Sequence, residues 1–115
     1  MSVGRELETF DMKRYVKMNY DVADYVNKHI IQNVRYRGSN RPIKEKQPIL
    51  CPFHDESVAS FYYYSKTNRF YCFGCGGKGG DVIDLHMLWS ARLGRKISFK
   101  QAVVELNSEL QTRGR

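Results

Sequence analysis

Three cysteines and one histidine hold the densest chemistry in this chain of 115 residues. Cys51-Pro52-Phe53-His54 comes first, and Cys72-Phe73-Gly74-Cys75 follows after seventeen residues. Each half is a knuckle. With two residues between the ligands, one tight turn can aim both at the same point. Three sulfurs and an imidazole complete a tetrahedron of the kind structural zinc prefers, and they leave no open position for a reactive water. All three cysteines of the chain fall inside the motif. Cys72-x-x-Cys75 alone would also read as a redox pair. Such a pair has no use for Cys51-x-x-His54 and normally opens a helix, whereas Gly76 and Gly77 follow here. An odd cysteine count argues against a disulfide framework.

Length and composition set the bounds. The chain is one small domain, or a small domain with extensions. A core of that size is modest, and bound metal offsets what it lacks. No apolar run reaches membrane-spanning length, and Met1-Ser2-Val3-Gly4-Arg5-Glu6 lacks the apolar block of a secretory leader. The expectation is a soluble, cytoplasmic protein with no membrane partner. The net charge of +7 is unevenly spread. Residues 1–30 are balanced, whereas 31–50 carry Arg35, Arg37, Arg41, Lys44 and Lys46 against Glu45 alone. A second basic group is Arg92, Arg95, Lys96 and Lys100. Such an excess favours a polyanion, nucleic acid first, although an ordinary soluble surface is also consistent with it.

These ligands need elements to position them. Leu7, Phe10, Arg14 and Met18 are spaced like one helix face, with Val16 near it. Asp21 is placed as an N-cap ahead of Val22, Tyr25, Val26 and His29 or Ile30, and His29 reads as an ordinary helix-end residue. Val34 and Tyr36 alternate with Arg35 and Arg37, so a strand with one basic face is expected. The turn at 38–42 would return residues 43–50 as its hairpin partner, with Pro48 making that partner an edge or irregular strand. Residues 60–64 read as a strand, with Phe61 and Tyr63 on one face and Tyr62 and Tyr64 on the other. After a turn at 65–68, residues 69–73 return into the second knuckle. The exposed side of this ribbon would set aromatics beside Lys66 and Arg69, a mixture that suits single-stranded nucleic acid. Tyrosines also fill sheets for packing reasons alone. Residues 74–80 are too glycine-rich to be regular; the glycines would let the backbone wrap the metal. Asp81 with Asp84 resembles a capping box, followed by Val82, Leu85, Leu88 or Trp89, and Leu93, with Gly94 as the stop. Asp81, Asp84 and His86 read as caps and a solvated helix face rather than as acid–base groups. Ser98 and Gln101 form a second capping box, and Phe99, Ala102, Val103, Leu106 and Leu110 give the buried stripe of the last helix.

Taken together, Cys51-Pro-Phe-His54-Asp-Glu, Ser60-Phe61, Phe70-Tyr-Cys72-Phe-Gly-Cys75-Gly and Gly80-Asp81-Val-Ile-Asp84 resemble the zinc-binding domain of bacterial and phage DnaG-type DNA primases. Asp21-Val-Ala-Asp24-Tyr-Val26 is similar to the helix that opens that domain, and Ile97-Ser98-Phe99-Lys-Gln-Ala102-Val103 to the one that closes it. The resemblance spans residues 19–110, leaving 1–18 as an extension, helical in pattern, and 111–115 as a basic tail. It implies an α+β zinc ribbon: a small antiparallel β-sheet with flanking helices and one structural zinc on Cys51, His54, Cys72 and Cys75. It also implies contact with single-stranded template through Lys66, Arg69 and the exposed ribbon aromatics, and a catalytic polymerase supplied separately. Ala59 departs from the family's usual proline before Ser-Phe. No Asp-x-Asp is present to hold catalytic magnesium.

The expected function is therefore that of a free-standing, non-catalytic module of the kind a phage or mobile element encodes. It would bind single-stranded DNA for primer initiation by a primase subunit acting in trans, with a replicative helicase as a further partner. The candidate nucleic-acid residues are Lys66, Arg69, Tyr62, Tyr64, Arg35, Arg37, Arg41, Lys44 and Lys46. A second class is an interaction protein that uses the same fold on a replication protein, host primase or helicase, instead of DNA. A transcription-type zinc ribbon is a weaker third.

Overall fold

Asp21 shows how local chemistry sets the first turn of the domain. Its carboxylate accepts from the Ala23 backbone N–H at 2.7 Å, capping helix α2 (Val22–Tyr25), and from the Tyr63 hydroxyl at 2.9 and 3.0 Å. One side chain thus starts a helix and ties it to the sheet. The computed structural model describes residues 9–55 and 57–113. Among them the order is α1 (Thr9–Asn19), α2 with a π turn after it (Val26–Ile30), β1 (Phe61–Tyr64), β2 (Arg69–Cys72), β3 (Lys78–Gly80), α3 (Val82–Arg92) and α4 (Phe99–Arg113). The sheet is antiparallel in the order β1-β2-β3, with Phe61 opposite Cys72 and Phe70 opposite Gly80. No helix of the described residues is long and apolar enough to cross a membrane.

The caps form as expected at α3. Asp81 accepts from the Ile83 and Asp84 N–H groups, and Asp84 accepts from the Asp81 N–H, each at 3.0 Å. At α4 only half the box forms. Ser98 Oγ accepts from the Gln101 N–H, but the Gln101 side-chain amide donates to Glu105. Phe99, expected in the buried stripe, is exposed, while Ala102, Val103 and Leu106 are fully buried.

Three further expectations, on the 31–50 segment, α1 and the glycine run, are corrected. First, residues 31–35 form turns and 36–37 are irregular, and Val34 is 98% exposed. A lone Val34 has nothing to pack on, and Tyr36 turns inward so that its hydroxyl donates to the Leu50 carbonyl at 2.7 Å. Residues 43–50 pair only through the isolated bridges Lys44–Gln47 and Ile49–Phe61, since Pro48 breaks any longer ladder. Second, α1 buries Val16 and packs Met12 against the core, and Arg14 and Met18 face outward. Leu7 and the side chain of Phe10 lie outside the described residues. Third, the glycine run contains β3. A Cβ at Gly79 would lie 2.7 Å from the Phe70 carbonyl oxygen and 2.9 Å from the Tyr71 ring. Only glycine lets β3 close against β2 beneath that ring.

Histidines form the polar layer between the helices. His86 is buried: Nδ1 pairs with the Tyr25 hydroxyl at 2.6 Å and Nε2 with Glu105 at 2.7 Å. The reading of His86 as a solvated residue is therefore overturned. Its hydrogen bonds satisfy a ring that the helix period carries inward. His29 Nε2 lies 2.9 Å from Glu109, to which the Tyr20 hydroxyl also donates. Glu105 is held at about 2, chiefly by the Arg95 guanidinium at 2.6 Å. Burial alone would raise Glu109, but the hydrogen bonds from His29 and Tyr20 outweigh it and hold this carboxyl at about 2 as well. A carboxylate depressed in the folded state adds stability above its unfolded value near 4.3 and loses it as pH falls toward the folded one. Glu109→Gln is thus expected to cost stability at about pH 5, and its deficit against the parent protein narrows by about pH 3. Paired urea titrations at the two pH values check this. A gap that stays constant or widens would show that the carboxylate's charge is not what Tyr20 and His29 hold.

Candidate metal centre and sheet surface

The two knuckles reach one point because β1 and β2 are short and paired. Cys72 ends β2 on the buried face, and a 3-10 turn (Phe73–Cys75) brings Cys75 back beside it. Gly76, at φ +71°, supplies the left-handed residue that ends this turn. The first knuckle is carried by the loop after the Ile49–Phe61 bridge. There Phe53 packs edge-on against Phe61, with ring centroids 6.0 Å apart, and near Phe70 at 6.4 Å.

The Sγ atoms of Cys51, Cys72 and Cys75 all lie within 4.8 Å of one another, and those of Cys51 and Cys75 are 3.3 Å apart. His54 Nδ1 is 3.1 Å from Cys75 Sγ. A tetrahedral zinc with bonds of about 2.3 Å holds its sulfurs about 3.8 Å apart, so the thiols already converge to metal-binding spacing. The donor set fits zinc: soft sulfurs and one imidazole, largely shielded from water. Burial pushes the Cys51 and Cys75 thiols up, so a metal must displace protons to bind them. Around the donors, the Phe53 backbone N–H points to Cys51 Sγ at 3.4 Å, and Ser60 Oγ lies 3.5 Å from Cys72 Sγ. Such outer contacts orient sulfur ligands.

On the other side of the sheet lies an aromatic surface. Strand alternation puts Phe61, Tyr63, Phe70 and Cys72 inside, all buried. Tyr62 and Tyr64 face out as expected, their rings stacked at 6.5 Å. The cross-strand register sets Tyr71 opposite Tyr62 and Arg69 opposite Tyr64. Phe73, 60% exposed, packs edge-on against both Tyr62 and Tyr71. Tyr71 and Phe73 were missed as surface aromatics, although period-2 counting forward from Arg69 reaches both.

The basic candidates do not form one patch. Ser65 donates its backbone N–H to Glu45 at 2.7 Å, which sets Lys44 and Lys46 beside the turn that carries Lys66. Arg41 is exposed on its loop. Arg35 and Arg37 instead flank the metal centre, lining a cleft with Cys51, His54 and Arg92. Asn68, read only as a turn residue, proves structural. It adopts φ +53°, accepts from the Val22 N–H at 2.7 Å and donates to the Tyr20 carbonyl at 2.9 Å, clasping the junction of α1 and α2.

Known proteins share this fold. The family model described as CHC2 zinc finger, of the DnaG zinc ribbon, matches residues 11–114. A DNA primase of Helicobacter pylori is 33% identical over 105 residues, which cover 91% of this chain and 14% of that protein. One of Aquifex aeolicus is 32% identical over 91 residues, covering 79% of this chain and 16% of the relative. The crystal structure of the Aquifex aeolicus primase, with its zinc-binding and RNA polymerase domains, superposes with a TM-score of 0.64 at 25% identity. That match covers 90% of this chain and 22% of the solved one. The chain therefore spans only a small fraction of the length of these primases, and it corresponds to their zinc-binding part rather than to the polymerase domain. It belongs to the CHC2 zinc finger family of DnaG-type DNA primases.

Proposed function

We propose that this chain is the template-reading module of a primase: a zinc-dependent binder of single-stranded DNA, not catalytic by itself. A polymerase subunit supplied in trans would make the primer. The DNA-reading part is assigned to residues 19–110, α1 of the preceding extension packs on it through Met12 and Val16, and the module works in the cytoplasm. Cys51, His54, Cys72 and Cys75 hold one structural zinc, which ties the end of the β1–β2 hairpin to the loop before it. The observation that carries the reading is the outer sheet face. Tyr62, Tyr64, Tyr71 and Phe73 offer rings for bases, while Arg69 and Lys66 offer charge for phosphates. Lys44 and Lys46 extend the charge at the hairpin tip, and Arg41 adds to it from its loop.

The test is binding of the zinc-loaded protein to labelled single-stranded and duplex DNA across a salt series, with a metal-stripped control. With about four phosphate contacts, log affinity for single strands falls against log salt with a slope of about −3. Lys66→Ala or Arg69→Ala each lowers that slope by about 0.7. Tyr64→Ala weakens binding by about 1–3 kcal/mol and leaves the slope unchanged. A folded, metallated protein that ignores single strands at low salt defeats the proposal. The exposed Tyr15 and Met18 on α1 would then favour a replication protein, such as a host primase or helicase, as the partner.

A further inference from the structure

We infer that a phosphate-binding cleft lies at the rim of the metal centre, built by Arg35, Arg37 and Arg92, and that it takes a terminal phosphate. Arg35 and Arg37 come from the irregular segment after the π turn, and Arg92 from the last turn of α3. The fold brings them together against Cys51, Pro52 and His54 around one small cleft. Tyr36 fixes the segment between the two arginines through its bond to the Leu50 carbonyl. Among the described residues, one carboxylate sits among the guanidiniums. Asp55 Oδ1 is 3.3 Å from Arg37 Nε and 4.0 Å from an Arg92 terminal nitrogen. Arg37, Arg92 and Asp55 are all substantially exposed, so these ion pairs are weak and exchangeable. Arg35 makes no ion pair among the described residues.

Asp55 shares one oxygen between two guanidiniums, an arrangement that a better acceptor would displace. A terminal phosphate has three unesterified oxygens and close to two charges, whereas a backbone diester has two oxygens and one charge. Converging guanidinium forks match the former. None of these residues lies on the aromatic sheet face, so the inference does not depend on base stacking there. The phosphate has two chemical sources, a nucleoside triphosphate or the 5′ end of a phosphorylated strand. The competing account is that the arginines only offset the negative charge of three metal-bound thiolates.

Isothermal titration of the zinc-loaded full chain separates these accounts. The probes are ATP and one short oligonucleotide carrying either a 5′-phosphate or a 5′-hydroxyl, with zinc content measured for every variant. ATP binding is expected, weakened roughly tenfold or more by Arg92→Gln. Lys100→Gln removes the same net charge from an exposed position outside the cleft lining and off the sheet face, and changes ATP binding by no more than about twofold. Asp55→Asn, which releases both guanidiniums, tightens it. Preference for the 5′-phosphorylated strand assigns the strand end as the source, and ATP binding without that preference assigns the free nucleotide; either supports the cleft. The inference is overturned if fully metallated protein shows neither, if Arg92→Gln and Lys100→Gln weaken ATP binding equally, or if Arg92→Gln loses zinc. Binding of 5′-hydroxyl single strands reads the sheet face separately, so each idea can fail without the other.

Discussion

Cys72→Ser is expected to leave the protein without a cooperative thermal transition, as is complete removal of the metal by a chelator. Cys72 is fully buried on the inner face of the sheet, directly opposite Phe61. A metal on the cysteine cluster would tie the end of the hairpin to the loop before it, in addition to the Ile49–Phe61 bridge and the packing of Phe53. Structural zinc in small domains contributes about 10–16 kcal/mol of apparent binding energy, against about 5–15 kcal/mol of total stability in an ordinary domain. Its loss is therefore comparable to, or larger than, the whole stability of such a domain. The pH dependence carries a definite sign. Because burial keeps the metal-free Cys51 and Cys75 as neutral thiols, zinc must release their protons on binding, and its affinity falls as pH falls. Circular dichroism melts of loaded, chelated and zinc-restored protein measure the effect. A chelated protein that still melts cooperatively would mean the core folds without its metal, and the structural role would be lost.

Phe70→Ala is expected to destabilise the fold by about 3–5 kcal/mol and to lower zinc affinity with it. The Phe70 ring is buried, stacks on Phe61 at a centroid distance of 5.3 Å and lies near Phe53 of the first knuckle. Removing it opens a cavity under both β strands and takes away the surface on which Phe53 rests. Cys51 and His54 flank Phe53 in the chain, so a loosened ring widens the positions their ligand atoms explore before metal binds. Denaturant unfolding and competition with a zinc-binding dye measure the two effects on one preparation. A stability loss with unchanged zinc affinity would show that the first knuckle is ordered by its own backbone, not by the aromatic cluster.

Local chemistry was legible wherever neighbours in sequence decide the outcome. The caps at Asp21 and Asp81, the stop at Gly94 and the alternation through Phe61, Tyr62, Tyr63 and Tyr64 all depend on contacts within a few residues, and all appear in the fold. The strand expected at 31–37 failed because alternation describes a strand only where a partner supplies hydrogen bonds and a face to bury. Val34 and Tyr36 have the pattern without the partner. The glycines at 77 and 79 pointed to irregular backbone, yet they serve the ring of Tyr71, from a neighbouring strand. His86 was misjudged for a related reason. A polar residue on a helix looks solvated until Tyr25 and Glu105, from two other helices, arrive to satisfy it.

What the sequence determined by itself was the chemistry of the metal site and the family resemblance. Ligand type and two-residue spacing are local properties of the chain, and soft thiols with an imidazole are donors that suit zinc. What only the tertiary structure decided was how the charges divide. Lys44, Lys46 and Lys66 gather at one hairpin turn, while Arg35, Arg37 and Arg92 meet at the metal rim across more than fifty residues of sequence. Charge counts along a chain have no direction. Packing of α3 and of the loop after α2 against the first knuckle supplies it.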